Sequence, residues 1–178
     1  MAMQHTPLLM SNILDRGAMV APNEEIVTLT ETGVRRQSYR ETRDRAHQLA
    51  HALAGIGIKV GDRVGTFMWN GSRHLEAYHA VAGMGAVLHT LNVRLSPKDL
   101  EYIINHAEDQ IIIVDADVLP LLEVLNGKIP TVRKIIVATE DGFEGWSTGL
   151  PDPVDYEAFI NGQPTHYEWP QIDENSPM

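Results

Sequence analysis

The stretch that decides the fold covers residues 61–115 and reads GDRVGTFMWNGSRHLEAYHAVAGMGAVLHTLNVRLSPKDLEYIINHAEDQIIIVD. Its last apolar run, residues 111–114, has no polar position, which is typical of a strand in a parallel sheet that is covered on both faces. Ser96, Pro97 and Asp99 predict a helix start, because they supply a capping hydroxyl, a proline for the first turn and an acid at the positive end of the helix dipole. Strand-like and helix-like segments therefore alternate along this stretch.

The flanking segments extend the alternation. Residues 24–38 predict a β-hairpin, and Ser38 with Glu41 forms a capping-box pattern at the start of the following helix. Residues 132–137 predict one more central strand. The resulting order predicts an α/β fold, in which a β-hairpin precedes a doubly wound, mainly parallel sheet with helices on both faces.

Two further helix starts are less regular. We expect Ser72 to cap a helix over residues 73–84, and Asp115 or Asp117 to cap the helix after the buried strand. The pattern divides the chain into an N-terminal arm (1–23), an α/β subdomain (24–138) and an acidic, largely irregular segment (139–178) with one short helix near residues 154–160.

Composition excludes several classes of function. The net charge is −10, which argues against a nucleic-acid partner, because phosphate binding needs a basic surface. The chain has no cysteine, so disulfides and cysteine-ligated metals are excluded. No apolar run approaches the roughly 20 residues that cross a bilayer, and the first residues do not resemble a secretory signal. We therefore expect a cytoplasmic protein without a transmembrane segment.

Charge is unevenly placed along the chain. No lysine or arginine follows Lys134, whereas nine acids lie in residues 139–178. One interpretation is a solvated acidic tail. The other is a segment that docks on a basic surface outside this chain.

Two motifs resemble ligand sites but lack the expected context. Gly83-Met84-Gly85 begins like a dinucleotide fingerprint, yet it follows a helix and precedes a strand, the reverse of a phosphate-binding loop. It is better explained by helix termination and close packing of the helix against the next strand.

His47 and His51 have the i, i+4 spacing of metal ligands, but Gln48 stands where a zinc protease has its glutamate. We expect both histidines to face water, and we predict no metal site.

One loop has residues suited to an anion. Asn92, Val93 and Arg94 lie between a predicted strand and the next helix, at the sheet edge where ligands bind in open α/β folds. A guanidinium there suits a phosphate; the alternative is a surface arginine paired with an acid. His89 precedes this loop and either lines a pocket or is a satisfied core or edge histidine.

The quoted stretch, with SYRE at 38–41 and LAHALAGIGIKVGDRV at 49–64 before it, resembles the adenylate-forming superfamily. The wording RHLEAYHAVAGMGAVLHTLNVRLSPKDLEYIINHAED is similar to its medium- and long-chain fatty-acyl-CoA synthetases. The resemblance extends over about residues 38–137. It implies an ATP-dependent ligase that uses magnesium, activates a fatty acid as an acyl-adenylate and transfers it to coenzyme A.

The resemblance places no catalytic residue on this chain. The family's Ser/Thr/Gly-rich phosphate loop and the later motifs do not occur in these 178 residues, so the chain resembles an N-terminal part that ends before the phosphate loop. We expect it to be inactive alone and to bind neither ATP, magnesium nor CoA tightly. The resemblance implies that Val93 and Arg94 approach the CoA nucleotide.

Two other functions fit the same residues. The chain could be a non-catalytic α/β module that binds a nucleotide or CoA, or that forms a homodimer, as N-terminal domains of fatty-acyl relatives do. A flavodoxin-like nucleotide binder is a third possibility. The sequence does not fix the acyl chain length or the oligomeric state.

Overall fold

The computed structural model describes residues 7–30, 33–140, 142 and 148–178. Helices and strands follow one another in the order α1 (Met10–Val20), β1 (Glu25–Thr30), β2 (Gly33–Ser38), α2 (Tyr39–Gly55), β3 (Arg63–Phe67), α3 (Ser72–Gly83), β4 (Val87–Thr90), α4 (Pro97–Ala107), β5 (Ile111–Asp115), α5 (Leu119–Glu123), β6 (Lys134–Ala138), β7 (Pro153–Asp155) and α6 (Tyr156–Ile160).

Two sheets organise these elements. β1 and β2 form an antiparallel hairpin whose register pairs Glu25 with Ser38 and Thr30 with Gly33. The sequence predicts a turn at residues 32 and 33, and the first of these lies outside the described residues. The second sheet has the order β4-β3-β5-β6-β7, and every neighbouring pair is parallel. The predicted hairpin and doubly wound parallel sheet are therefore confirmed.

Both faces of the parallel sheet are covered, as the all-apolar strand predicted. Along β5, Ile111 and Ile113 face the core formed with α1, α2, α3 and α6. Ile112 and Val114 face the core formed with α4 and α5. Successive side chains of a strand point to opposite faces, so one short strand supplies both cores.

Local sequence fixes two helix starts as predicted. Ser38 Oγ accepts from the amide of Glu41 at 3.2 Å, and the Glu41 carboxylate accepts from the amide of Ser38 at 2.7 Å. Ser96 Oγ accepts from the amide of Asp99. Each such cap satisfies amides that the helix itself leaves unbonded.

The other two capping predictions are wrong. Helix α3 has Gly71 as its N-cap, and Ser72 is its first residue; the Ser72 amide donates to Thr28 Oγ1 at 3.1 Å. Helix α5 begins after Val118, which makes no side-chain cap. The two aspartates expected there bind elsewhere, as described below.

Helix α1 and strand β7 were not identified from the sequence. Helix α1 buries Leu14 and Ala18 against α2 and α3. Strand β7 adds three residues to the edge of the sheet beside β6. Both depend on partners that lie far away along the chain. No helix in the described part is long and apolar enough to cross a membrane.

The acidic segment is not a freely solvated tail. Glu140 pairs with Arg35 and with Arg73, and Glu157 pairs with Arg45 and Arg73. The basic surface that this segment needs is thus provided by the same chain. After α6, residues 163–174, which we call the strap, pass back over α2 and α3 towards the start of the described chain, where the Leu8 amide donates to Glu174 at 2.8 Å.

Candidate functional site

A cleft of about 450 Å³ opens where β3, β5 and β6 end. One wall comes from the β1–β2 hairpin and another from the N-terminus of α3. The carboxyl ends of parallel strands are the usual ligand-binding edge of an open α/β sheet. The position of this cleft therefore makes it the first candidate for a functional site.

Trp69 and two aspartates form the floor of the cleft. The Trp69 amide donates to Asp115 Oδ2, and its indole Nε1 donates to Asp117 Oδ2, both at 2.7 Å. Burial raises the pKa of Asp115 to about 6; the hydrogen bond from Trp69 opposes this rise, and the charges of Asp117 and Glu140 add to it. A carboxyl with a raised pKa in a cleft is typical of functional sites.

A second group of charges lies behind the cleft. The arginine–carboxylate layer comprises Arg45, Arg73, Glu76 and Glu157. Glu76 is fully buried and accepts from Arg45 Nε at 2.7 Å, while Glu157 accepts from both arginines. Tyr156 donates its phenol to Glu76 at 2.7 Å. The layer ties α2, α3 and α6 together, and Arg73 connects it to the cleft through Glu140.

The pKa values in this layer shift in the direction expected for paired ions. Burial raises the pKa of Glu157, but the hydrogen bonds and charges of Arg45 and Arg73 outweigh it, so the pKa lies below its usual value. Burial and the bond to Glu76 hold the pKa of Tyr156 well above its usual range. The layer is therefore internally neutralised and offers little to a ligand.

The predicted anion loop lies outside the residues that line the cleft. Asn92 Oδ1 accepts from the Arg94 amide at 2.9 Å, which forms a tight turn after β4. Val93 is half-buried and packs against the core beneath α4 and α5. Arg94 is exposed, and within the described ranges its guanidinium makes no ion pair. It is not the acid-paired surface arginine of the alternative interpretation.

His89 does not line the cleft. Its Nδ1 lies 2.8 Å from Asp109 Oδ2, and Asp109 is fully buried. The pair crosses the sheet over Gly65, where a Cβ would lie 3.2 Å from that carboxylate. Burial raises the pKa of Asp109, and the hydrogen bond from His89 opposes the rise. A satisfied histidine on the edge strand β4 is therefore the better interpretation of His89.

The prediction that His47 faces water is wrong. The strap covers it, leaving 2 % of the residue exposed, and it bonds to Asp15 and to the Tyr167 amide. His51 bonds to the His166 carbonyl oxygen. Both histidines therefore bind protein groups, and they do not form a metal pair.

Gly83 and Gly85 serve packing, as expected. Helix α3 ends at Gly83, where a Cβ would lie 2.8 Å from the Trp169 ring of the strap. Gly85 has a φ of 81°, a conformation that favours glycine. The sequence suggested that the helix packs closely against the strand that follows it. The close approach at Gly83 is instead to the strap.

The described residues differ in how well they fit magnesium and a CoA phosphate. Among the described residues, no three histidine or carboxylate side chains are arranged to hold a metal ion, so these residues do not fit magnesium. The exposed Arg94 guanidinium beside a tight turn does fit a phosphate such as those of CoA.

A family model described as AMP-binding enzyme matches residues 14–175. The chain belongs to this AMP-binding enzyme family. It is 47 % identical over 136 residues to a long-chain-fatty-acid–CoA ligase of Thermus thermophilus, covering 76 % of this chain and 25 % of that protein. It is 34 % identical over 174 residues to a medium-chain-fatty-acid–CoA ligase of Ectopseudomonas oleovorans, covering 97 % of this chain and 32 % of that protein.

Solved structures agree with this family assignment. The crystal structure of an anthranilate CoA ligase in complex with anthranoyl-AMP matches with a TM-score of 0.82 and 25 % identity, over 96 % of this chain and 31 % of that one. The chain thus spans about a quarter to a third of the length of the relatives it matches. Members of this family with these names are acyl-CoA ligases.

Sequence reasoning missed the cleft itself. Asp115 is predicted from the sequence only as a possible helix cap, and no functional role is predicted for Trp69. The available signal was position: Asp115 is the first polar residue after a fully apolar strand, at the edge where ligands bind.

Proposed function

We propose that this chain is the N-terminal part of an ATP-dependent fatty-acid–CoA ligase. In the first step the fatty-acid carboxylate attacks ATP, which gives an acyl-adenylate and releases pyrophosphate. In the second step the CoA thiol attacks the acyl carbon, which forms the thioester and releases AMP. The observation that carries the proposal is the 47 % identity to a long-chain-fatty-acid–CoA ligase, supported by the medium-chain relative.

The role proposed for this chain in the second step is contact with CoA. The Arg94 guanidinium would pair with a CoA phosphate, because it is exposed and free of acidic partners in the described ranges. Val93 would hold the loop, since its side chain packs against the core while its backbone stays at the surface. The Asn92 turn fixes the approach of the Arg94 backbone.

ATP and magnesium are assigned to the remainder of a full-length ligase. No phosphate loop occurs in these 178 residues, and no group of three or more histidine or carboxylate side chains in the described part of the chain is arranged to hold a metal ion. We therefore propose that the chain alone is inactive. A cytoplasmic location is part of the same proposal, because fatty acid, ATP and CoA meet there.

A chimera tests the proposal. This chain would replace the matching part of the Thermus ligase, and two reactions would be followed over fatty acids of increasing length: pyrophosphate release without CoA, and thioester formation with CoA. We expect both reactions in the chimera and neither in the 178-residue chain. A chimera that folds but never releases pyrophosphate with any fatty acid would contradict the assignment.

The CoA contact is tested in the same chimera. Arg94→Ala should raise the KM for CoA about tenfold, as loss of one charged contact does, without changing CoA-independent pyrophosphate release. Arg40→Ala is the matched control, because Arg40 is equally exposed but lies on α2, on the opposite face of the sheet. Equal KM values in the two variants would remove Arg94 from the proposal.

A dimerisation module is the second candidate. One face of the hairpin exposes Val27, Leu29 and Val34, and Leu29 is 84 % exposed. Such side chains are typical of interfaces when they are contiguous. Light scattering of the chain and of Leu29→Lys tests it: a dimer that the variant dissociates supports the candidate, and a monomer at every concentration rejects it.

A further inference from the structure

Two histidines one turn apart on α2 hold the strap in opposite chemical ways. His47 Nδ1 lies 2.7 Å from the Tyr167 amide nitrogen, and an amide N–H can only donate. His51 Nε2 lies 2.8 Å from the His166 carbonyl oxygen, which can only accept. His47 is therefore an acceptor towards the strap, whereas His51 is a donor.

The second nitrogen of His47 fixes its protonation. Nε2 lies 3.0 Å from Asp15 Oδ1. Because Nδ1 accepts from Tyr167, the single proton of a neutral ring must be on Nε2, where it is donated to Asp15. The other oxygen of Asp15 accepts from the Trp169 indole at 3.0 Å. Helix α1, helix α2 and the strap thus meet at one imidazole, whose contacts match the neutral Nε2–H tautomer.

A proton added to this ring has a definite effect. It binds Nδ1, turns that nitrogen into a donor and sets it against the Tyr167 N–H, so the bond is lost. The imidazolium keeps its contact with the Asp15 carboxylate, which becomes an ion pair. A proton added to His51 leaves its Nε2–H bonded to the carbonyl of His166. Acid therefore breaks one of the two histidine contacts and preserves the other.

We propose that His47 is a proton-operated latch, which holds the Tyr167 backbone of the strap against α2 only while its ring is neutral. The inference does not depend on the proposed function, because it concerns contacts within this chain. Its consequence is local: the Tyr167 amide is released, while the contacts of His51 with His166 and of Asp15 with Trp169 remain.

Other charges around His47 modulate the latch without replacing it. Asp15 on α1 favours the added proton, and its pKa is low because bonds from His47 and Trp169 outweigh the effect of its burial. The titratable groups that interact with His47, with Asp15 or with the adjoining strap include Arg43 and His51 on α2, His79 on α3, and His166 and Tyr167 on the strap. Burial lowers the pKa of His79, and the hydrogen bond with the Met10 backbone and the charge of Asp15 oppose this.

The test is hydrogen exchange of the Tyr167 amide, followed by NMR in the 178-residue chain at pH 7.5 and pH 5.5 and corrected for the intrinsic pH dependence of exchange. We expect protection to fall about fivefold or more at pH 5.5, the loss expected for one hydrogen bond. Gly83→Ala supplies the reference for a displaced strap at both pH values, since its Cβ would meet the Trp169 ring at 2.8 Å.

Two matched variants distinguish a latch from general acid loosening. His47→Gln keeps an oxygen that can accept from Tyr167 and an N–H that can donate to Asp15, but it gains no proton in this range. The protection of the Tyr167 amide should therefore be equal at both pH values in this variant. His51→Gln should retain the wild-type response. Equal wild-type protection at both pH values, or an undiminished fall in His47→Gln, would overturn the proposal.

Discussion

The arginine–carboxylate layer and the cleft contain the same kinds of side chain in opposite electrostatic states. In the layer, Glu76 and Glu157 both face arginines, and the pKa of Glu157 is lowered. In the cleft, Asp115 lies near Asp117 and Glu140, and its pKa is raised to about 6. The two regions are joined by Arg73, which contributes to both.

The charges of the two regions therefore have opposite effects on the stability of the folded chain. An acid with a lowered pKa stabilises the folded chain at neutral pH, whereas an acid with a raised pKa destabilises it. Costs of this kind are concentrated at functional sites. The layer is therefore best understood as a scaffold, and the cleft as the surface that a substrate or the remainder of a ligase would use.

The largest expected effect comes from breaking the layer. Glu76→Ala would leave Arg45 without its buried partner and the Tyr156 hydroxyl without its acceptor. We expect a loss of about 3–5 kcal/mol in the free energy of unfolding, measured by urea denaturation. Glu76→Gln keeps an acceptor of the same size and should lose less. Equal losses in the two variants would show that the negative charge paired with Arg45, and neither size nor the hydrogen-bond acceptor, controls this site.

Removing the charge of Asp115 in the cleft should instead increase the stability of the chain. Because the pKa of folded Asp115 is raised from 3.8 to about 6, its ionised form costs stability once the pH exceeds that range. Asp115→Asn keeps an oxygen for the Trp69 amide and should stabilise the chain at pH 7.5 on the order of 1–2 kcal/mol.

The pH dependence supplies the control for this prediction. The gain from Asp115→Asn should shrink towards zero at pH 4, where wild-type Asp115 is protonated. Thermal unfolding of both proteins from pH 4 to 7.5 measures it. A variant that is less stable than wild type at pH 7.5 would show that the ionised carboxylate is stabilising.

The lowered pKa of Glu157 predicts a smaller effect of acid. A group whose pKa is depressed on folding contributes stability above its unfolded pKa, and this contribution is lost as the pH falls through the folded pKa. We expect wild type to lose no more than about 1 kcal/mol from Glu157 between pH 5 and pH 3, since its side chain is 43 % exposed and screened by solvent. Glu157→Gln should flatten that part of the urea-denaturation profile. A slope equal to that of wild type would assign the acid loss to other carboxyls.

The sequence predicted those features that depend on near neighbours along the chain. Ser38 with Glu41 and Ser96 with Asp99 are caps formed over three residues, and both were found as expected. The unbroken apolar run of β5 likewise indicated a sheet covered on both faces.

The features that were missed depend on distant partners. Asp115 binds a tryptophan amide 46 residues away instead of capping α5. His47 is buried because the strap returns across it after 120 residues. Strand β7 has only three residues and an edge position. Periodicity and capping patterns report contacts within a helix or strand, so they contain no information on these long-range contacts.

The smallest expected effect on stability belongs to Arg94. Its guanidinium is exposed and unpaired within the described ranges, so Arg94→Ala should change the free energy of unfolding by less than about 0.5 kcal/mol. Urea denaturation of the chain measures this, with Arg73→Ala as the contrasting arginine, because the Arg73 side chain is 10 % exposed and its removal would take one of two arginine partners from both Glu157 and Glu140. If Arg94→Ala proved as costly as Arg73→Ala, the loop would belong to the scaffold. A neutral result would instead leave Arg94 as an arginine that the fold does not need and that a phosphate can use.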